Sequence, residues 1–138
     1  MNIFLFLIFS GSSIVAIAPP PEPAPEPTVT ELIQKYSDEY EVNFKMAIAL
    51  AKFESKLNPR AKNPKSTAKG IYQFIDSTWE SFCEGDVYNP EDNIKCAMKL
   101  ISKGGISHWL ADQYVRLYFW DMGFITCINY DKNWCKLK

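Results

Sequence analysis

Glu54 is the side chain whose setting invites a chemical reading. At about 100° per residue, Lys45, Lys52 and Lys56 fall on one helical stripe, and Glu54 points about 180° away from Lys45. Its neighbours one and two turns away are Ala47, Leu50, Ala51 and Leu57. A carboxylate therefore sits on the apolar stripe of an amphipathic helix, one turn from its end. Burial disfavours the charged form and raises a carboxyl pKa, the state a general acid needs near neutral pH. The bland alternative is that Glu54 lies at the stripe's edge, or pairs with a lysine or arginine in the core. The segment that follows, Ser55 to Ile75, holds five basic residues (Lys56, Arg60, Lys62, Lys65, Lys69) and no acid. Such a loop suits a substrate with anionic groups, or is simply a solvated run of charge. It ends in Gly70-Ile71-Tyr72-Gln73-Phe74. There the glycine permits close backbone approach, and the glutamine offers both a donor and an acceptor to a neutral polar ligand.

Composition removes several other chemistries. With 15 basic and 16 acidic residues the net charge is −1, so no bulk field draws the chain to nucleic acid. A single histidine, His108, excludes multi-histidine metal sites and leaves any Ser/His or Cys/His system dependent on that one ring. Beside Trp109 it reads better as a loop or rim residue. No metal and no cofactor are implied. Hydrophobic residues at 47% and charged residues at 22% match ordinary globular usage and argue against wholesale disorder. Nine Phe, seven Tyr and four Trp could build a core or stack on sugars.

The elements that position these residues occupy the second part of a 138-residue chain. Residues 1–18 read as an export signal or N-terminal anchor: Ile3 to Phe9 is apolar, and Ala16-Ile17-Ala18 is a small-x-small cleavage pattern. No Lys or Arg precedes the apolar run and Pro19 follows the cut, so an uncleaved membrane tether is the alternative. Ile3 to Ala18 nonetheless falls short of the roughly 20 residues that cross a bilayer. Residues 19–27 hold six of the nine prolines and form a stiff, extended spacer. Residues 28–138 are the folded domain, expected to be all-α, monomeric and exported to the cell envelope, periplasm or exterior.

Helical signals recur along that domain. Thr28 and Glu31 form a capping box before a helical repeat, Val29, Leu32, Ile33, Tyr36 and Tyr40. Asn43 restarts the pattern for a helix over Phe44 to Leu57, stopped by Asn58-Pro59. Arg60 to Lys69 is a loop. Ser77 and Glu80 form a second capping box opening a short helix that Gly85 closes. Asn89 caps and Pro90 starts a helix that ends at Gly104-Gly105. A last aromatic-rich helix is expected from about Trp109 to Met122. The cysteines Cys83, Cys96, Cys127 and Cys135 fit no zinc spacing. In an exported chain they form two disulfides; three pairings exist, and Cys83–Cys96 with Cys127–Cys135 is expected because each closes a short loop.

Glu54-Ser55-x-Leu57-Asn58-Pro59, followed by Ala61, Asn63, Ser66-Thr67-Ala68-Lys69-Gly70-Ile71-Tyr72-Gln73-Phe74 and Thr78-Trp79, resembles the soluble lytic transglycosylase catalytic domain. Asn89-Pro90, Asn93-Ile94 and Leu100 are similar to the stretch that follows in that family, which shares the lysozyme-like fold with goose-type lysozymes. The resemblance implies that Glu54 is the catalytic acid and Ser55 its companion at the helix end. It implies that Gly70 and Gln73 line a sugar cleft, that Tyr72, standing where many members have Met, walls it, and that Ser66 approaches substrate. The family also places a late tyrosine near the acid, for which Tyr114 and Tyr118 are candidates.

Ordinary glycosidases use two carboxyls. The loop after Glu54 has none before Asp76, which itself reads as part of a helix start. A lone acid suffices when the substrate supplies its own nucleophile. The resemblance implies cleavage between N-acetylmuramic acid and N-acetylglucosamine in peptidoglycan strands, with the muramoyl 6-hydroxyl closing on C1 to a 1,6-anhydro product. A hydrolytic muramidase is the alternative within that class. A silent wall-binding module and a disulfide-stapled interaction protein are the alternatives outside it.

Overall fold

The computed structural model describes residue 22, residues 24–126 and residues 136–137. The expected signal, residues 1–18, and the expected Cys127–Cys135 bridge lie outside the described residues. Among the described residues six helices follow in order: α1 (Val29–Glu39), α2 (Phe44–Ser55), α3 (Asp76–Phe82), α4 (Pro90–Ser102), α5 (Ser107–Leu110) and α6 (Gln113–Asp121). Two-residue strands β1 (Ile125–Thr126) and β2 (Lys136–Leu137) pair antiparallel. The all-α expectation holds.

Local chemistry explains most boundaries. The Thr28 side chain accepts from the Glu31 N–H while Glu31 reaches back to the Thr28 N–H, satisfying two orphan donors of α1. Asn43 caps α2 through the Met46 N–H. Asn89 caps α4 through the Glu91 and Asp92 N–H groups, with Pro90 in the first turn.

Two expectations need correction. α3 starts at Asp76 rather than after Ser77, with Ile75 at the cap position and no side-chain cap bond. Asp76 itself forms a 2.6 Å ion pair with Lys69, so its carboxylate ties the loop to the new helix. The expected single helix from Trp109 to Met122 is two, because Asp112 breaks it: its Oδ1 accepts the Tyr114 N–H at 2.6 Å and caps α6.

α1 packs on both α2 and α4, and α6 packs on α2. Ile33, Ala47, Leu50 and Ala51 meet Ile71, Tyr72, Ile94, Ala97, Met98 and Phe119 in one core. α3 buries no residue completely. It is held by Trp79 edge-on to Phe74 (centroids 5.4 Å apart) and by the Cys83–Cys96 disulfide, the expected pairing.

Asn93 is the polar pin of this core. Fully buried, it accepts the Tyr72 N–H at 3.0 Å and donates to the Val87 carbonyl at 2.8 Å. Replacing it by leucine strands both backbone groups away from water. Asn93→Leu is expected to cost about 2–4 kcal/mol in urea denaturation; a loss below about 0.5 kcal/mol would mean that those groups find other partners.

Candidate active site

α2 delivers Glu54 to the protein interior at its last turn. Ala47, Ala49 and Ala51 are buried, and their small side chains let the neighbouring elements approach. The helix ends because Lys56 and Leu57 both adopt left-handed backbone (φ 55° and 65°), with the Lys56 N–H bonded to Lys52 O. Two such residues in succession turn the chain sharply and are unusual without glycine.

Glu54 is half-buried. Among the described residues its carboxyl forms no ion pair and no hydrogen bond, so the core-pairing alternative is not what the structure shows. Burial lifts its pKa from 4.5 to about 7, and the negative charge of Asp112 adds to the rise. Asp112 was missed in the sequence. The available signal was its strong preference for the cap position, masked by the apolar run around it.

The loop from 58 to 75 is held by backbone bonds rather than regular structure. Gly70 N–H donates to Ala61 O at 2.9 Å, and Lys69 and Phe74 exchange bonds at 3.0 Å each way. Gly70 has φ +76°, and a Cβ there would lie 2.2 Å from Asn93 Nδ2 and 2.5 Å from Val87 O. Its requirement is thus close packing and a left-handed turn; the glycine is buried in the loop's base rather than lining a cleft.

Tyr72 is also not a cleft wall. It is 0% exposed, and its hydroxyl donates to Ala47 O at 3.0 Å. Burial pushes its phenol pKa upward. A tyrosine suits this position because its hydroxyl finds a partner inside the core. Ser55 Oγ donates back to Ala51 O at 3.2 Å, and Ser66 Oγ accepts the Ala68 N–H at 3.2 Å in the exposed loop.

Gln73 does reach open space. It holds a left-handed φ of 51°, and its Nε2 donates to Gly70 O at 2.9 Å and Ala61 O at 3.4 Å. Two backbone carbonyls can face only the amide nitrogen, which fixes the orientation and leaves Oε1 as an acceptor. Gln73 lines a recess of about 120 Å³ with Phe74, Ile75, Thr78, His108 and Trp109. Trp109 is locked there by its Nε1–H to Tyr72 O at 2.8 Å. His108 is exposed on the rim, as expected. Of the two candidate tyrosines, Tyr114 is exposed at the start of α6, and Tyr118 stacks on Phe53 with centroids 5.3 Å apart.

A half-buried carboxyl with a second carboxylate acting on it is suited to proton transfer, and the Gln73 recess offers one fixed acceptor to a neutral polar ligand. The family description "Transglycosylase SLT domain" matches residues 31–114, a span that contains Glu54, Gln73 and Asp112. The chain belongs to that family. The probable transglycosylase SceD of Staphylococcus aureus, strains Newman and USA300, is 34% identical over 91 residues. The alignment covers 60% of this chain and 39% of that relative, so the chain spans well under half of the relative's length.

In this SLT domain the raised pKa of Glu54 has a consequence for stability. A carboxyl whose folded-state pKa of about 7 exceeds its ordinary 4.5 stabilises the fold in its protonated form. That contribution is complete below the ordinary pKa and is lost as pH rises through the folded one. Glu54→Gln, which cannot ionise, is therefore expected to exceed the parent by about 2–3 kcal/mol at pH 8 and to match it near pH 4. Equal urea midpoints at both pH values would mean a solvated Glu54.

Proposed function

We propose that this chain is a peptidoglycan lytic transglycosylase of the cell envelope, cutting the bond between N-acetylmuramic acid and N-acetylglucosamine. The observation that carries the reading is the half-buried Glu54 carboxyl at the end of α2, without a pairing partner among the described residues; burial pushes its pKa up to about 7. Protonated Glu54 gives its proton to the leaving glycosidic oxygen. The carboxylate so formed takes the proton of the muramoyl 6-hydroxyl, whose oxygen closes on C1 to give the 1,6-anhydro sugar. The attacking group is part of the substrate, so its effective molarity is high.

The remaining residues support that step. Gln73 Oε1 is suited to the N–H of an acetamido group, and the apolar side of the same recess to its methyl. Tyr118 beside Phe53 and Tyr114 on the next turn are candidates for packing against sugar rings. Ser55 completes the turn that carries Glu54, and Ser66 shapes the exposed loop. The N-terminal apolar segment agrees with export. No helix of the described residues is long and apolar enough to cross a membrane.

Asp112 favours one second reading. A carboxylate that influences Glu54 could orient a water, and the reaction would then be hydrolysis by a muramidase. One of its oxygens is committed to the Tyr114 N–H, which leaves the other for that role. Mass spectrometry of fragments released from purified sacculi separates the two: products lighter by one water support the anhydro reaction, and reducing-end products the muramidase. Sacculus binding with no released fragments would leave a silent wall-binding module.

Glu54→Gln is expected to slow fragment release by about 10²–10⁴-fold while the fold survives; full activity would remove Glu54 from the mechanism. The rate should fall as pH rises through about 7, where the acid loses its proton. Asp112→Asn removes a charge that holds the proton on Glu54, so that alkaline limb is expected to move to lower pH. A limb unmoved, or moved upward, would show that Asp112 does not act on the acid.

A further inference from the structure

We infer that the recess beside the Cys83–Cys96 disulfide binds the free carboxylate end of a short zwitterionic peptide. The inference rests on the reading of the chain as a peptidoglycan-cleaving enzyme: the peptide stem carried by the muramoyl sugar is the ligand it assigns. The recess measures about 320 Å³ and is larger than the one at Gln73. That volume lies at the lower end of small-ligand pockets, enough for the end of a peptide. Its frame is fixed before any ligand arrives. Cys83 and Cys96 line it and tie the end of α3 to α4. Gly85 (φ +85°) packs on Asp92 so closely that a Cβ there would collide with Oδ2, and that oxygen accepts the Asp86 N–H at 3.0 Å.

Charge and shape together choose the ligand. Lys95 and Lys99 stand one turn apart on α4, line the recess and are exposed. Like charges at this spacing repel, and among the described residues neither lysine forms an ion pair. Glu91, one turn before Lys95, accepts instead from Tyr36 and Lys35. A carboxylate between the two ammonium groups relieves their repulsion through charge-assisted hydrogen bonds. Glu84 and Asp92 border the same recess. Two acids beside two lysines disfavour a phosphate or other dianion and favour a ligand that carries its own ammonium group. Phe82, 53% exposed, supplies an apolar wall suited to a methyl. A carboxylate, a methyl and a nearby ammonium are what the lysyl-alanine end of a peptide presents. Phe82 also connects this recess with the one at Gln73. Its ring lies 5.7 Å from that of His108, and His108 lines the Gln73 recess. The two recesses adjoin across that pair of rings, which lets a sugar at one and its attached peptide at the other be held together.

The test titrates the full chain with the tetrapeptide L-alanyl-γ-D-glutamyl-L-lysyl-D-alanine and follows backbone amide shifts by NMR. Shifts are expected at Gly85, Lys95 and Lys99. Amidating the terminal carboxylate should weaken binding about tenfold. Lys95→Ala combined with Lys99→Ala should do the same, and Lys95→Arg with Lys99→Arg should preserve affinity. Both lysines are exposed, so these variants keep the fold, and the amidated probe needs no variant at all. Equal affinity for acid and amide, or for the parent and the double-alanine chain, overturns the inference. So do shifts confined to the Gln73 recess. Fragment release is scored separately, on intact sacculi and on sacculi stripped of peptides by an amidase. The double-alanine chain should show a raised KM with unchanged kcat on intact sacculi and match the parent on stripped glycan. Tetrapeptide binding with no fragments would fail the enzymatic reading and leave the recess standing; fragments without tetrapeptide binding would do the reverse.

Discussion

The site depends on keeping one carboxyl out of water at the end of a helix. Glu54 is the penultimate residue of α2, where the helix dipole is negative and an ionised carboxylate is unwelcome. Burial acts in the same direction, and the charge of Asp112 does too. Three independent effects favour the protonated form, and no donor or cation among the described residues opposes them at contact distance. Such an arrangement costs folding energy whenever the group ionises. A neutral or apolar residue at that position would remove the cost.

The surrounding architecture follows from that requirement. α2 must be buried on the Glu54 side, yet space must remain in front of the carboxyl. Small alanines bring the packing elements close, and the sharp left-handed turn at Lys56 and Leu57 carries the chain away before it would cover the acid. The loop that returns has little regular structure to stabilise it. Its anchor is the buried Asn93, which bonds Tyr72 and Val87 and packs against Gly70. The residues at the bottom of the loop, Gly70 and Tyr72, hold it in place, while Gln73, one step on, is turned outward by its positive φ. Buried and outward-turned positions thus alternate within four residues.

That alternation limits what could be read from sequence. The caps at Thr28, Asn43 and Asn89 were legible because a cap is a local event written in neighbouring residues. The apolar face around Glu54 was legible because helical periodicity reports it. The family resemblance puts Tyr72 in the cleft because it stands where many members have Met, whereas its hydroxyl's partner, Ala47 O, lies on another element and leaves no mark in the motif. Asp112 was missed for the same reason. Its proximity to Glu54 is created by the packing of α6 on α2, which no spacing in the chain encodes. The break between α5 and α6 was hidden because aromatic residues run through it, and hydrophobic periodicity does not register a single capping side chain.

The distribution of charge explains how a basic loop can coexist with a protonated acid. The segment 44–75 holds seven of the fifteen basic residues and one of the sixteen acids. Cations near a carboxyl stabilise its ionised form and would lower its pKa. Lys45, Lys52, Lys56, Arg60, Lys62 and Lys65 are all exposed, where water and salt screen them over a distance of about 10 Å. Lys69, the least exposed of the set, spends its charge on Asp76. Their field can extend into solvent while the Glu54 carboxyl, shielded by apolar packing, feels mainly its own desolvation and one nearby carboxylate. Moving any of those lysines inward to pair with Glu54 would strengthen a local contact and bring the carboxyl's pKa back down.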